Sequence, residues 1–202
     1  FFFIGLIATV LLVFVPENNP IALLVIYTIS TVGFCGANVF YDAFLVDVTT
    51  EDRMDYVSSM GYGMGYIGST IPFILCIVVV LLSQSGLINM SLTLACKITF
   101  LITAIWWGVF TIPLVKNVNQ KYYVEKQSHI IKNSFKDLGS TLKNIKKDKA
   151  VLLFLIAYFF YIDGVHTIIS MATSYGTDLG ISMISLLIIL LLTQFVAFPF
   201  TI

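Results

Sequence analysis

An all-α integral membrane fold with six transmembrane helices is what this sequence predicts, and three observations predict it. Apolar residues make up 58% of the chain and charged residues only 11%, against about 25% charged in a soluble domain. So few polar groups cannot cover a water-soluble globule. Long apolar runs recur, and each complete one is about as long as the roughly 20 residues a helix needs to cross a hydrocarbon core. The polar connectors between the runs alternate between those that carry Lys or Arg and those that carry neither.

Six runs can be placed in order. The first, Phe1 to Val15, is shorter than a full crossing and reads as truncated. PENNP (Pro16 to Pro20) separates it from the second, Ile21 to Leu45. The charged stretch around Asp47 to Asp55 leads into the third, about Met60 to Leu82. SQSGLIN (Ser83 to Asn89) precedes the fourth, about Ser91 to Val115. A long lysine-rich connector leads to the fifth, Ala150 to Ser174, and YGTDLGIS (Tyr175 to Ser182) to the sixth, Met183 to Ile202. Strands are not expected, because the runs are too long and lack period-two alternation.

Short loops rich in Lys and Arg stay in the cytoplasm. The turn at 46–56 contains Arg53, and the connector at 116–149 contains nine of the ten lysines. Both are therefore expected to be cytoplasmic, and the alternation holds at all five connectors. Within the long connector, Ile131, Phe135, Leu138, Leu142 and Ile145 recur at steps of four and three, with lysines between them. That spacing predicts an amphipathic helix at the membrane surface or against the cytoplasmic ends of the spans. Gly139 and Ser140 weaken it, which leaves a flexible basic linker as the alternative.

Several function classes drop out. Net charge is zero, which argues against a nucleic-acid partner; the lipid bilayer is the expected surroundings. Cys35, Cys76 and Cys96 sit in apolar runs without CxxC or zinc spacing, so they read as small apolar residues and no metal is expected. Neither HExxH, a P-loop, GxSxG nor GxGxxG with a following acid occurs, so the chain is not expected to be an enzyme or to need a cofactor. It begins FFFIGLIATV without a Met or basic leader and ends inside an apolar run. A fragment of a longer membrane protein is the simplest reading.

Two runs carry polar stripes. Thr28, Thr31, Cys35, Asn38 and Asp42 follow helical spacing in the second, and Asp163, Thr167, Ser170 and Ser174 in the fifth, with His166 beside Asp163. An acid at a helix centre costs about 2.5–3.5 kcal/mol on insertion scales, so it persists only facing water or a partner. Two such faces suggest a shared wet cavity, as a channel or transporter needs. The bland readings are Ser and Thr bonded to their own carbonyls, an interfacial Asp42, and a packed His166. Lys97, near the outer end of its span, is read as snorkelling. Gly61, Gly65, Gly68 and Pro72 share one face of the third span, with Gly63 nearby. Close helix packing is the favoured reading of that face, and bending the other.

The run YDAFLVDVTTEDRMDYVSSMGYGMGYIGS resembles a segment of the major facilitator superfamily. More narrowly, it is similar to the branch related to autophagy-associated vacuolar amino-acid effluxers, bacterial members included. The aromatic-Asn/Asp-Ala-Phe-Leu-x-Asp stretch falls on Tyr41 to Asp47, with Val46 where many members have Pro. The acidic-Arg turn falls on Asp52 and Arg53, and Val-Ser-x-x-Gly-x-x-x-Gly-Tyr on Val57 to Tyr66. Tyr158 to Ser182 resembles the start of the second half.

The resemblance implies a partial major-facilitator-type bundle, about spans three to eight. Residues 1–115 would end the N-terminal half with four spans, 116–149 would be the cytoplasmic central loop, and 150–202 would start the C-terminal half. The fourth and seventh spans of that superfamily line its cavity, and these are the two striped helices. We expect a secondary active transporter of a small solute, with an amino acid as the resemblance's choice, working by alternating access. The alternative is a structural or enzymatic polytopic subunit. Asn38, Asp42, Asp163, His166, Thr167 and Ser170 are the expected cavity lining, Asp163 with His166 the proton-coupling pair. Asp47 and Arg53 are expected to hold the cytoplasmic turn and gate. The full-length protein is expected to be monomeric, in the cell membrane if bacterial. A cysteine placed in the 116–149 connector should resist impermeant maleimide on intact cells and react after lysis; strong labelling of intact cells would overturn this orientation.

Overall fold

The computed structural model describes residues 1–122 and 129–201. The stretch at 123–128 of the predicted connector, and Ile202 at the end of the sixth run, lie outside the described residues. Among the described residues every regular element is helical, in agreement with the predicted all-α membrane fold. In order these are α1 (Phe2–Leu11, continued by a 3-10 turn Leu12–Phe14), α2 (Pro20–Ala43), α3 (Leu45–Val48), a 3-10 turn Glu51–Arg53, α4 (Met54–Gln84), α5 (Leu92–Asn117), α6 (Ile130–Ile145), α7 (Lys149–Asp178) and α8 (Met183–Thr201). Five segments are long and apolar enough to cross a membrane: Pro20–Val48, Glu51–Gln84, Leu92–Asn117, Lys149–Asp178 and Met183–Thr201. The remaining apolar helix, Phe2–Phe14, is shorter than a crossing.

Local chemistry sets the ends. The Asn19 side chain accepts from Ala22 N–H with Pro20 at the first helical position of α2, a favoured start because proline's missing donor would be unpaired there anyway. Ser91 caps α5, and Asp148 accepts from Ala150 and Val151 N–H at the start of α7. Gly180, at φ +79°, closes α7, with Ile181 N–H bonded to Gly176 O and Gly180 N–H to Thr177 O. That left-handed cap satisfies carbonyls the helix would otherwise leave open. The third run starts as helix earlier than its apolar content suggests, at Met54 rather than about Met60. Glu51, Asp52 and Asp55 gather at its N-terminus, where negative charge meets the positive end of the helix dipole.

The chain forms two compact units, 1–122 with 187–202, and 123–186. In the first, α1 packs against both α2 and α5, and α5 against α4. The α1–α2 crossing is a backbone contact: a Cβ on Gly33 would lie 2.5 Å from Gly5 Cα, and one on Gly5 would lie 2.7 Å from Trp107 Cη2. Only glycine fits at such an approach. Polar groups tie the same crossing. Thr9 donates to Gly5 O at 2.8 Å, and the Thr9 and Ser30 hydroxyls lie 2.7 Å apart. Since Thr9 has one proton and gives it to Gly5, Ser30 donates to Thr9. Small residues and hydroxyl bonds of this kind hold helices together in lipid, where apolar area gives no driving force. Trp107 of α5 closes the joint, its ring edge-on to Phe2 at 5.3 Å and to Phe34 at 5.7 Å.

A second tie lies at the α2 end of this unit. Asp47 in α3 is buried, and its Oδ1 accepts from Lys121 N–H at 2.7 Å and Tyr122 N–H at 2.9 Å. The chain leaving α5 is thereby fastened to the turn between α2 and α4. The second unit holds α6, α7 and the first turn of α8, with Gly176 of α7 against Leu186.

Three outcomes follow for the purified protein. Gly33→Ala forces α1 and α2 apart and should cost about 1–3 kcal/mol, as overpacking does, read as a lower unfolding midpoint in detergent. Gly108→Ala, whose methyl would meet Leu6 at an ordinary 3.8 Å, should hold or raise that midpoint. Asp47→Ala leaves the two amides without their acceptor. A hydrogen bond to a charged group is worth about 1.5–3 kcal/mol, so hydrogen exchange at residues 121 and 122 should speed up at least about tenfold.

Candidate functional site

The first polar stripe sits on α2. Successive residues turn by about 100° on a helix, which places Thr28, Thr31, Cys35, Asn38 and Asp42 in one arc of about 80°. Ser30, Gly33 and Gly36, the residues that meet α1, centre on the diametrically opposite side. All five stripe residues are exposed. An apolar groove between α1 and α2, lined by Phe3, Ile7, Leu11, Ile26 and Ile29, lies away from the stripe. Two members of the stripe satisfy themselves: Thr28 donates to Leu24 O at 2.8 Å and Thr31 to Tyr27 O at 2.9 Å. Asn38 and Asp42 have no side-chain partner among the described residues, and Asp42 lies in the last turn of α2.

The second stripe sits on α7. Asp163 falls at the middle of this 30-residue helix, about 20 Å along the axis from either end. His166, Thr167, Ser170 and Ser174 lie with it in one arc of about 100°, and all are exposed. Gly176, the contact with Leu186, lies well around the helix from that arc. Asp163, His166, Thr167 and Ser170 have no side-chain partner among the described residues. Unlike Thr28 and Thr31 on α2, Thr167 and Ser170 make no bond back to their own helix among the described residues, although Thr177 beyond the stripe donates to Thr173 O at 2.8 Å.

Of the two residues assigned to the turn, Asp47 is fastened as described and Arg53 is exposed, with no side-chain partner among the described residues. Among the described residues, a Cβ at Gly61, Gly65 or Gly68 on α4 meets nothing within 4 Å, while Gly63 between them is buried. The close backbone approach is instead at Gly5 and Gly33, which spacing alone did not single out, since a lone glycine on α1 names no partner on α2. Among the described residues, no group of three or more His, Cys, Asp or Glu is placed to hold a metal.

Comparison with known proteins gives the family. The family model described as "Vacuole effluxer Atg22 like" matches residues 1–199. An uncharacterized MFS-type transporter, YxiO of Bacillus subtilis (strain 168), is 59% identical over 98% of this chain and 46% of its own length. Autophagy-related protein 22-2 of Penicillium rubens is 31% identical over 62% of this chain and 23% of its own. Autophagy-related protein 22 of Coccidioides immitis is 31% identical over 69% and 24%. The chain thus spans just under half of the Bacillus relative and about a quarter of the fungal ones. No solved structure matches. With apolar helices of crossing length and a family model covering nearly all its residues, this multi-pass membrane chain belongs to the Atg22-like vacuole effluxer family.

Proposed function

We propose that the chain is part of a secondary active transporter of the major facilitator type that moves a small solute by alternating access. The observation that carries this reading is the placement of Asn38, Asp42 and Asp163: each lies on a helix face turned away from the packed neighbour, and none has a partner among the described residues. Family membership supports it, as does the name of the Bacillus relative, an MFS-type transporter; these names point away from an enzyme. Residues 1–115 end one helical half, 116–149 link the halves, and 150–202 begin the other. The turn at 46–56 and the link face the cytoplasm.

Asn38, Asp42, Asp163, His166, Thr167 and Ser170 line the solute path in this reading. Asp163 takes up and releases the proton, because a carboxylate at mid-helix with no donor costs least when it can be neutralised. His166, one turn away on the same face, is the second member of the proton-coupling pair, since an imidazole can both take up and give a proton. An amino acid is the proposed solute, carried over from the resemblance of Tyr41 to Tyr66 to vacuolar amino-acid effluxers. In proteoliposomes under an imposed proton gradient, the wild type should accumulate a labelled amino acid. Asp163→Asn should lose gradient-driven accumulation while solute exchange across the bilayer persists. Accumulation unchanged in this variant removes the coupling role, and wild-type flux absent for every amino acid removes the solute assignment.

A further inference from the structure

We propose that α6 is a membrane-docking helix that lies in an anionic lipid surface, its apolar arc in the acyl boundary and its lysines on the headgroups. The first observation is its shape. Phe135, Leu138, Leu142 and Ile145 occupy an arc of about 80° on the α6 helix, and Phe135, Leu138 and Leu142 are 71%, 56% and 54% exposed. Lys132, Lys136 and Lys143 form a narrow row along one border of that arc, while Asp137 lies beyond the other border. A lysine beside an apolar face can lay its stem along the acyl boundary and raise its ammonium to a phosphate.

The second observation is position. A turn of three residues separates α6 from α7: Lys147 N–H bonds to Asn144 O and Asp148 N–H to Ile145 O, and Asp148 then caps α7. The apolar run of α7 begins at Ala150, so the exposed Lys146, Lys147 and Lys149 mark the headgroup layer. The C-terminal end of α6 is thereby held within about 15 Å of that layer, since extended chain covers at most about 3.5 Å per residue. A helix tethered there, with an open apolar arc, meets the bilayer surface at high local concentration.

The choice of occupant follows from having both features together. An acidic protein surface would satisfy the lysines and leave Phe135, Leu138 and Leu142 in water. An apolar protein groove would cover the arc and leave the lysine row unpaired at its edge. A leaflet containing anionic lipid offers an apolar layer with negative charge directly above it.

The test uses the purified protein in nanodiscs of phosphatidylcholine, alone or mixed with phosphatidylglycerol. A fluorophore is placed at Phe135→Cys on the apolar arc, or at Ser140→Cys on the opposite face, on a background without other reactive cysteines. Lipid-borne quenchers should quench the label at 135 several-fold more than the one at 140, and more strongly with phosphatidylglycerol. Each lysine near an anionic surface favours docking about fivefold, so Lys132→Glu, Lys136→Glu and Lys143→Glu together should weaken it at least about a hundredfold. Raising salt should weaken docking of the unreversed helix in the same direction, a check that needs no charge reversal. Quenching at 135 no greater than at 140, or equal in neutral and anionic discs and indifferent to salt, overturns the proposal. A label shielded from both lipid and aqueous quenchers would place the arc against protein and overturn it as well.

Discussion

In a hydrocarbon solvent the backbone must satisfy itself, and the helices here do so along their length. That constraint sorts the polar side chains by what they can do next to a completed ladder. A hydroxyl can still donate to the second lone pair of the carbonyl one turn back, and Thr28, Thr31, Thr103, Thr111 and Thr193 all do. A carboxylate cannot, because it only accepts and every N–H inside the helix is already used. Each aspartate must therefore find donors outside the regular part of its own helix.

Four of the eight aspartates show the division. Asp148 finds two N–H groups at the open start of α7. Asp47 finds two in the chain leaving α5, at a separation of 74 and 75 residues. Asp42 and Asp163 find none among the described residues. Structural aspartates are thus recognisable by their paired donors, and Asp42 and Asp163 lack that signature among the described residues. Asp42, in the last turn of α2, is near an interface and can meet water without a cavity. Asp163 has no such exit.

The periodic features were legible in the sequence because burial against lipid is written one residue at a time. The apolar runs and the two polar stripes could be read locally, whereas the caps at Asn19, Ser91 and Asp148 emerged only with the helices they start. The amphipathic pattern of α6 could be read locally too, since Phe135, Leu138 and Leu142 differ so sharply from the lysines between them. What could not be read was which surfaces meet. Glycine spacing on α4 marks a face that meets nothing among the described residues, whereas the crossing they show is at Gly5 and Gly33. A glycine permits close approach without naming the partner that approaches. The acceptor role of Asp47 was equally hidden, because its donors are main-chain groups of Lys121 and Tyr122 and leave no residue signature.

Both striped helices place their polar arc away from the neighbour that packs on them. On α2 the packed side is made of Ser30, Gly33 and Gly36, and on α7 of Gly176. Small residues let backbones approach, so they fix one side of each helix as the protein-facing side. The other side is left to lipid, water or further protein. Lipid is the poorest choice for Asp163: at about 20 Å from either end of α7, its short side chain cannot reach headgroups as a lysine would. An ionised carboxylate there costs about 2.5–3.5 kcal/mol on insertion scales, and the hydroxyls of Thr167 and Ser170 extend the same polar strip. A helix under selection only to anchor would lose nothing by replacing that strip with leucine, and so the strip itself is the reason to look for a hydrated path beside α7.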